Sequence, residues 1–145
     1  AIDDLAFQPA AVAATRRALP AGKGLIGFVG GPWTLFVYAV EGSHTGSLAA
    51  AKTSPALYRG FARVMAPLVE RMARAQLDAG ADLVMVFDTA AGELSPPLFQ
   101  QLVAPDLRCL ADRLPGRLGY FARALHPAHL GRTGALPGAW ASLVQ

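Results

Sequence analysis

The stretch that decides the fold is "LIGFVGGPWTLFVYAVEG", residues 25–42. It opens as a short apolar run bounded by glycines, which is typical of a strand buried on both faces. Gly30, Gly31 and Pro32 then end the strand, because glycine tolerates tight turns and proline fixes its own φ. A short helix is predicted around residues 34–41, so this stretch indicates the beginning of a βα unit.

Two further apolar runs repeat the pattern, "ADLVMVFD" at 81–88 and "RLGYFAR" at 117–123. A first helix is predicted before residue 20. A long one is predicted over 55–79, with Ser54 as its N-cap and a single apolar stripe. A third is predicted over 97–114, capped by Ser95 and kinked or interrupted at Pro105. After residue 123 the pattern fades and predicts a short helix at best.

Helices that alternate with buried strands predict βαβ units and a parallel sheet. Such a sheet closes either as a doubly wound sheet or as a (β/α)8 barrel. A barrel takes roughly 250 residues, so the 145 residues of this chain can supply only part of one. The predicted fold class is therefore α/β, with the whole chain, residues 1–145, forming one segment of a larger domain.

The amino-acid composition indicates which classes of partner, protein, nucleic acid or membrane, are expected for this chain. The chain is 53% apolar and only 16% charged, against about 25% charged in soluble domains, which suggests that much of its surface meets other protein. The net charge of +3 comes from scattered arginines without a basic run, so nucleic acid is not an expected partner. No apolar run reaches the ~18 residues of a membrane span, and no signal-peptide pattern is present.

The single cysteine, Cys109, cannot form an internal disulfide, which favours a reducing compartment. Its helical spacing with Leu102 and Leu110 predicts a buried, inert thiol. The histidines, at 44, 126 and 129, have no Cys or Glu at a metal-ligand interval, so no metal site is expected.

Chemistry-bearing residues follow each predicted strand, where function collects in parallel α/β folds. These residues are Trp33, Thr34 and Tyr38, then Asp88, Thr89 and Glu93, then Arg123 and His126. They suit a flat or aromatic anionic ligand. The glycines do not match a phosphate loop. Interior packing of Trp33 and Tyr38, and a capping role for Asp88, stay open as alternatives.

The first stretch closely resembles a signature of the uroporphyrinogen decarboxylase family, approximately LIGFAGxPWTLxxYMVEG. "GADLVMVFDTAAGELSP", residues 80–96, resembles that family's second stretch, GAQxxQxFDSWAGxLSP. Lys52 and Tyr58 match a recurrent lysine and tyrosine between them, and "APDLRCLADRL" followed by "YFAR" resembles a later helix and strand. The resemblance covers residues 25–123, roughly two thirds of the chain.

The resemblance implies a (β/α)8 barrel, a homodimer as the full-length enzyme and a cytoplasmic role in porphyrin and heme biosynthesis. The family converts the four acetate side chains of uroporphyrinogen III to methyl groups, which gives coproporphyrinogen III and carbon dioxide. No cofactor is expected, because a protonated pyrrole can accept the electrons that the departing carboxylate leaves behind.

By resemblance, Tyr38 and Thr89 contact the acetate of the reacting ring, and Phe28 and Phe87 wall the cleft. Asp88 and Arg123 are further candidates without an assigned role. The family's catalytic aspartate matches no residue of this chain and lies before it, so the segment alone is expected to be inactive.

The resemblance has limits near the end of the chain, where the family's LDW strand is matched only by "GAW", residues 138–140. Two other functions stay open. A corrinoid-related methyltransferase of the same barrel type would need zinc held by His and Cys ligands, and Cys109 is predicted in mid-helix, far from the strand ends. The second open function is that of a non-catalytic fragment that acts as a binding or assembly module.

Overall fold

The chain forms parallel strands joined by helices, as seen in a computed structural model that describes residues 5–136, 138 and 140–144. The α-helices are α1 (Phe7–Ala18), α2 (Pro32–Glu41), α3 (Ala49–Lys52), α4 (Pro55–Asp78) and α5 (Pro96–Arg113). The strands are β1 (Ile26–Gly30), β2 (Leu83–Phe87), β3 (Leu118–Phe121) and β4 (Ser142–Val144). Short 3₁₀ turns cover Ala91–Glu93 and Pro127–Thr133.

The strands lie side by side in chain order, β1-β2-β3-β4, and every pair is parallel. One face of the sheet carries Val29, Val84 and Val86, which are buried beneath the helices. The opposite face carries Ile26 and Phe28, which are 60% and 66% exposed. A doubly wound sheet reverses its strand order and covers both faces, so this sheet is part of a (β/α)8 barrel with its inner face open. The predicted fold class is confirmed, and the barrel is incomplete in this chain.

An aromatic cluster joins α2 to α4. The ring of Trp33 lies 5.3 Å from that of Tyr58, and Phe36 lies 5.4 Å from Tyr58, centroid to centroid. All three side chains are almost wholly buried, and the Tyr58 hydroxyl donates to Asp106 on α5 at 2.6 Å. Trp33 therefore acts in packing, which was the alternative to a site role for this residue.

Only half of the apolar stripe predicted on α4 packs against the core, namely Phe61, Met72 and Leu77, whereas Leu57, Val64 and Leu68 are exposed. The buried residues of α4 are Tyr58, Ala62, Val69, Ala73 and Gln76. Leu57 and Val64, which belong to the predicted stripe, are 58% and 65% exposed. Small side chains, among them Ala62 and Ala73, occupy much of the buried face of α4, and Leu68 and Met72 line a groove beside β1.

Three details of α4 and α5 differ from expectation. Cys109 is exposed, because the buried face of α5 runs through Leu107 and Leu110 and leaves position 109 outside it. Pro105 does not interrupt α5, which is continuous from Pro96 to Arg113. Ser54 and Ser95 occupy the predicted N-cap positions, but neither side chain makes a capping hydrogen bond.

The end of the chain contains an element that the sequence pattern did not reveal. β4 pairs with β3, with Gly119 opposite Ser142, although no strand was predicted after residue 123. Before it, His126 caps the 3₁₀ turn by accepting the Ala128 N–H at 3.1 Å. The buried His129 ring bonds the Leu94 carbonyl at 2.8 Å. A three-residue strand carries too little periodicity to be recognised from sequence.

The outer edge of β1 is closed at one point by a side chain. The amide of the buried Gln76 donates to the Phe28 carbonyl at 2.8 Å and accepts the Phe28 N–H at 3.0 Å. Gly27 leaves the necessary space, since a Cβ there would lie 2.4 Å from the Gln76 amide oxygen. One glutamine thus replaces two ladder hydrogen bonds on the strand edge.

Among the described residues, no helix is both long enough and apolar enough to cross a membrane.

We expect Gln76→Leu to lower the free energy of unfolding by about 1–3 kcal/mol, because it leaves the N–H and C=O of Phe28 without their partner. Urea unfolding followed by circular dichroism measures this change. Gln101→Leu, at an exposed position of α5, is the matched control and should stay within about 0.5 kcal/mol of the parent. Equal effects of the two substitutions would contradict a role for Gln76 at the strand edge.

Candidate functional site

The carboxyl ends of the strands form one edge of the sheet. α4 has 24 residues and therefore spans about 36 Å, enough to carry the chain from this edge back to the start of β2. Everything between β1 and α4 consequently lies at the carboxyl edge, including α2, α3 and the loop of residues 42–48. The segment 88–95, between β2 and α5, lies there as well.

Asp88 follows β2 and is completely buried. One carboxylate oxygen accepts the backbone N–H of Thr34 at 2.7 Å, and the other accepts the Tyr120 hydroxyl at 3.1 Å. The Thr34 hydroxyl in turn accepts the N–H of Ala90 at 3.0 Å. Asp88 thus caps the N-terminus of α2 from the neighbouring strand, and an anion is favourable there because of the helix dipole.

Two glycines allow the strand-end loops to pack directly on one another. A Cβ on Gly31 would lie 2.7 Å from the Cα of Asp88 and closer still to its side chain. A Cβ on Gly92 would lie 2.0 Å from the carbonyl oxygen of Arg123. The first contact joins the end of β1 to that of β2, and the second joins the loop after β2 to the chain after β3.

Burial raises the pKa of Asp88 to about 6, while the hydrogen bonds from Thr34 and Tyr120 pull it downward. The carboxyl group is therefore mostly ionised at neutral pH. Burial also raises the pKa of Tyr120, with the Asp88 charge acting in the same direction, so that the phenol keeps its proton and remains a donor.

Aromatic rings line the open face of the sheet next to this edge. The ring of Phe28 lies 6.0 Å from that of Phe87, and Phe87 lies 5.7 Å from Phe121, both edge to face. Phe28 and Phe87 are 66% and 41% exposed. These rings form an apolar wall across β1, β2 and β3 that a flat ligand can cover.

Tyr38 lies on α2, whose N-terminus is held at this edge by the bond of Thr34 to Asp88. Leu35, three residues earlier on the same helix face, packs over Gly30, where a Cβ would meet its side chain at 2.7 Å. Tyr38 is 47% exposed, and its hydroxyl lies 2.5 Å from Nδ1 of His44. The two rings are also in contact, with centroids 5.4 Å apart.

Comparison with known proteins identifies the family of the chain. Residues 2–138 match the sequence profile of the family described as uroporphyrinogen decarboxylase (URO-D). The chain belongs to the uroporphyrinogen decarboxylase family. It is 42% identical to a uroporphyrinogen decarboxylase of Acidovorax sp. (strain JS42) over 104 residues, which are 69% of this chain and 28% of the relative.

Two other relatives of the same name agree. The protein of Idiomarina loihiensis is 42% identical over 98 residues, or 65% of this chain and 27% of its own length. The human protein is 33% identical over 119 residues, or 79% of this chain and 32% of its own length. The chain thus spans about a third of the curated uroporphyrinogen decarboxylases that it matches.

The structure brings some of the predicted site residues of this decarboxylase-family chain together. Phe28 and Phe87 are in ring contact on the open face. Thr89 is half-buried at the strand end beside Asp88. The hydrogen bond found for the Tyr38 hydroxyl is to His44. The contact of Tyr38 and Thr89 with the reacting acetate, which the resemblance implies, stays a prediction.

The other candidates have clearer positions. The buried carboxylate of Asp88 is occupied by internal hydrogen bonds, which favours the capping role over contact with a substrate. Arg123 is exposed beyond β3. Sequence reasoning did not select His44; its only signal is the turn at Gly42, which returns the chain toward Tyr38.

Among the described residues, no group of three or more His, Cys, Asp or Glu side chains is placed to hold a metal ion.

The raised pKa of Asp88 predicts a pH dependence of stability. The native state binds this proton more tightly than an unfolded chain, where the pKa is near 3.8, so stability falls as pH rises from about 4 through about 6. Asp88→Asn keeps an acceptor for the Thr34 N–H but cannot ionise. Between about pH 5 and pH 8 the parent should therefore lose about 1 kcal/mol relative to this variant in urea unfolding. Parallel pH profiles would contradict the burial of an ionising Asp88.

A second prediction concerns the close approach at Gly31. Gly31→Ala should lower the free energy of unfolding by several kcal/mol, because the new methyl group meets the backbone of Asp88. This is the order of magnitude expected for overpacking a core. Gly60→Ala is the control, since a Cβ there meets nothing within 4 Å and alanine favours the helix α4. Thermal unfolding should show a loss for the first variant and no loss for the second.

Proposed function

We propose that the protein carrying this chain decarboxylates uroporphyrinogen III to coproporphyrinogen III, and that this chain supplies one wall of the substrate cleft. The observation that carries the proposal is the row of rings Phe28, Phe87 and Phe121 on the open face beside the strand ends, of which Phe28 and Phe87 are exposed. The helix α2, which carries Tyr38, begins at the same edge. Relatives that are named uroporphyrinogen decarboxylase support it.

The chemistry of the reaction explains why such a wall is useful. Loss of carbon dioxide from an acetate group needs an electron acceptor, and a pyrrole protonated on carbon provides one. An apolar surface excludes water, which strengthens the attraction between that cation and a fixed negative group of the complete site. The rings of Phe28 and Phe87 exclude water without offering a group that could capture the intermediate.

Hydroxyl groups at the rim orient the acetate that reacts. Tyr38 and Thr89 are the proposed donors, since both follow a strand and both are accessible. Arg123 is an exposed cation at the same edge and is proposed to attract the carboxylates of the substrate rather than to react. The buried Asp88 is proposed to fix the frame on which these groups stand.

The finer parts of the proposal are a place in porphyrin and heme biosynthesis, a cytoplasmic location, action without a cofactor and a homodimeric full-length enzyme. A corrinoid-related methyltransferase is the alternative enzyme of the same barrel type. Stoichiometric zinc in the purified complete protein would favour it, whereas decarboxylation without added metal or cofactor would favour the proposed function.

The test is the rate of coproporphyrinogen formation by the complete protein. Thr89→Val should lower kcat/KM by about tenfold or more, because a hydrogen bond to a charged acceptor contributes about 1.5–3 kcal/mol. Thr15→Val, on the exposed α1 helix, is the matched control and should leave the rate unchanged. Absence of product from the parent protein would refute the proposed function. Equal rates for Thr89→Val and the parent would remove Thr89 from the site.

A further inference from the structure

The loop after α2 holds His44 against the hydroxyl of Tyr38. The oxygen of Tyr38 and Nδ1 of His44 are 2.5 Å apart, a short hydrogen bond. The rings meet at 62°, so the imidazole edge approaches the phenol in a defined orientation. Two contacts, one polar and one aromatic, therefore join residues that are six positions apart in the chain.

The backbone of this loop is built to keep His44 in place. Gly42 adopts a left-handed conformation with φ of 72°, and its N–H donates to the carbonyl of Tyr38 itself. The Ser43 hydroxyl accepts the N–H of Thr45 and bonds its hydroxyl, which closes a small turn around His44. Glu41, the last residue of α2, accepts the N–H of Ala51 at 2.9 Å and so ties the end of α2 to α3 across the loop.

The direction of this hydrogen bond decides what Tyr38 can do. If Nδ1 accepts, the Tyr38 proton points at His44 and only the lone pairs of the Tyr38 oxygen are left for a ligand, and these repel a carboxylate. If Nδ1 carries the proton and donates, the Tyr38 O–H is free to donate to an anion. Such a chain of donors also polarises the phenol, which strengthens its hydrogen bond to the anion.

We propose that His44 is a positioning residue whose Nδ1–H donates to Tyr38 and thereby directs the Tyr38 hydroxyl at a carboxylate of the substrate. The proposal rests on the proposed function, because it assigns His44 a part in binding the reacting acetate. His44 itself touches Tyr38 and not the reacting atoms. The class of ligand is a carboxylate carried on an aromatic ring that can lie on the Phe28 and Phe87 wall.

Two variants separate the hydrogen bond from the ring contact. His44→Phe keeps an aromatic ring beside Tyr38 but removes the nitrogen, whereas His44→Asn loses the ring and keeps an N–H donor close to the position of Nδ1. In the complete protein with uroporphyrinogen, His44→Phe should lower kcat/KM about tenfold, a loss of about 1.4 kcal/mol. His44→Asn should stay within about threefold of the parent, on the scale of half a kcal/mol.

A double-mutant cycle shows whether His44 acts through Tyr38. In a Tyr38→Phe background, His44→Phe should have no further effect on kcat/KM, because the hydroxyl that it orients is absent. A full tenfold loss in that background would overturn the proposal. So would His44→Asn with as large a loss as His44→Phe.

An independent measurement needs no enzymatic activity. In the complete protein labelled with ¹⁵N-histidine, the fraction of the Nδ1–H tautomer of His44 should fall when Tyr38 is changed to Phe, at a pH where the ring is neutral. An unchanged tautomer ratio, or an Nδ1 that accepts in the parent, would overturn the proposal. If the parent makes no coproporphyrinogen, the proposed function fails, and this tautomer measurement alone then decides the pairing of His44 with Tyr38.

Discussion

The strand-end architecture depends on one buried carboxylate. Asp88 follows β2, caps α2 by accepting the N–H of Thr34 and accepts the hydroxyl of Tyr120 from β3. It therefore connects three consecutive parts of the barrel wall with hydrogen bonds that water does not reach. A charge in such a place is tolerated because the N-terminal N–H groups of α2 and the phenol of Tyr120 replace its hydration. The same constraint explains Gly31, which leaves no side chain between α2 and the carboxylate.

The strand ends that Asp88 joins determine which side chains a ligand can reach. Side chains alternate along each strand, so the residues that bind the helices and those that face the barrel interior are fixed by the same register. Val84 and Val86 pack under the helices, which directs Phe87 to the open face. Gly30 pairs with Phe87 across β1 and β2 and leaves room for the Leu35 side chain of α2. The aromatic wall and the close packing of α2 on β1 are thus two results of a single strand register.

The sequence predicted most of the fold because its strands and long helices have strong local signals. The runs around Val29, Val84 and Tyr120 are apolar and bounded by glycine or proline, so their burial could be anticipated. β4 could not, because a three-residue strand has no measurable period. Cys109 was misplaced because helical spacing alone does not distinguish the core of α5 from positions adjacent to it. The site residues came from their position after the strands and from resemblance. Neither reveals His44, whose contact with Tyr38 depends on the turn at Gly42.

The contact of Gln76 with β1 has a consequence for any strand that joins this sheet. A parallel neighbour forms its ladder with alternate residues of the edge strand, and Phe28 is the middle one of those that point outward from β1. Both of its peptide groups are already occupied by the Gln76 amide. A strand arriving from another molecule therefore meets a gap in the donor and acceptor pattern at the centre of the edge. The glutamine makes this edge selective. A neighbouring strand can pair with the whole of β1 only if it leaves space for the Gln76 amide beside Phe28.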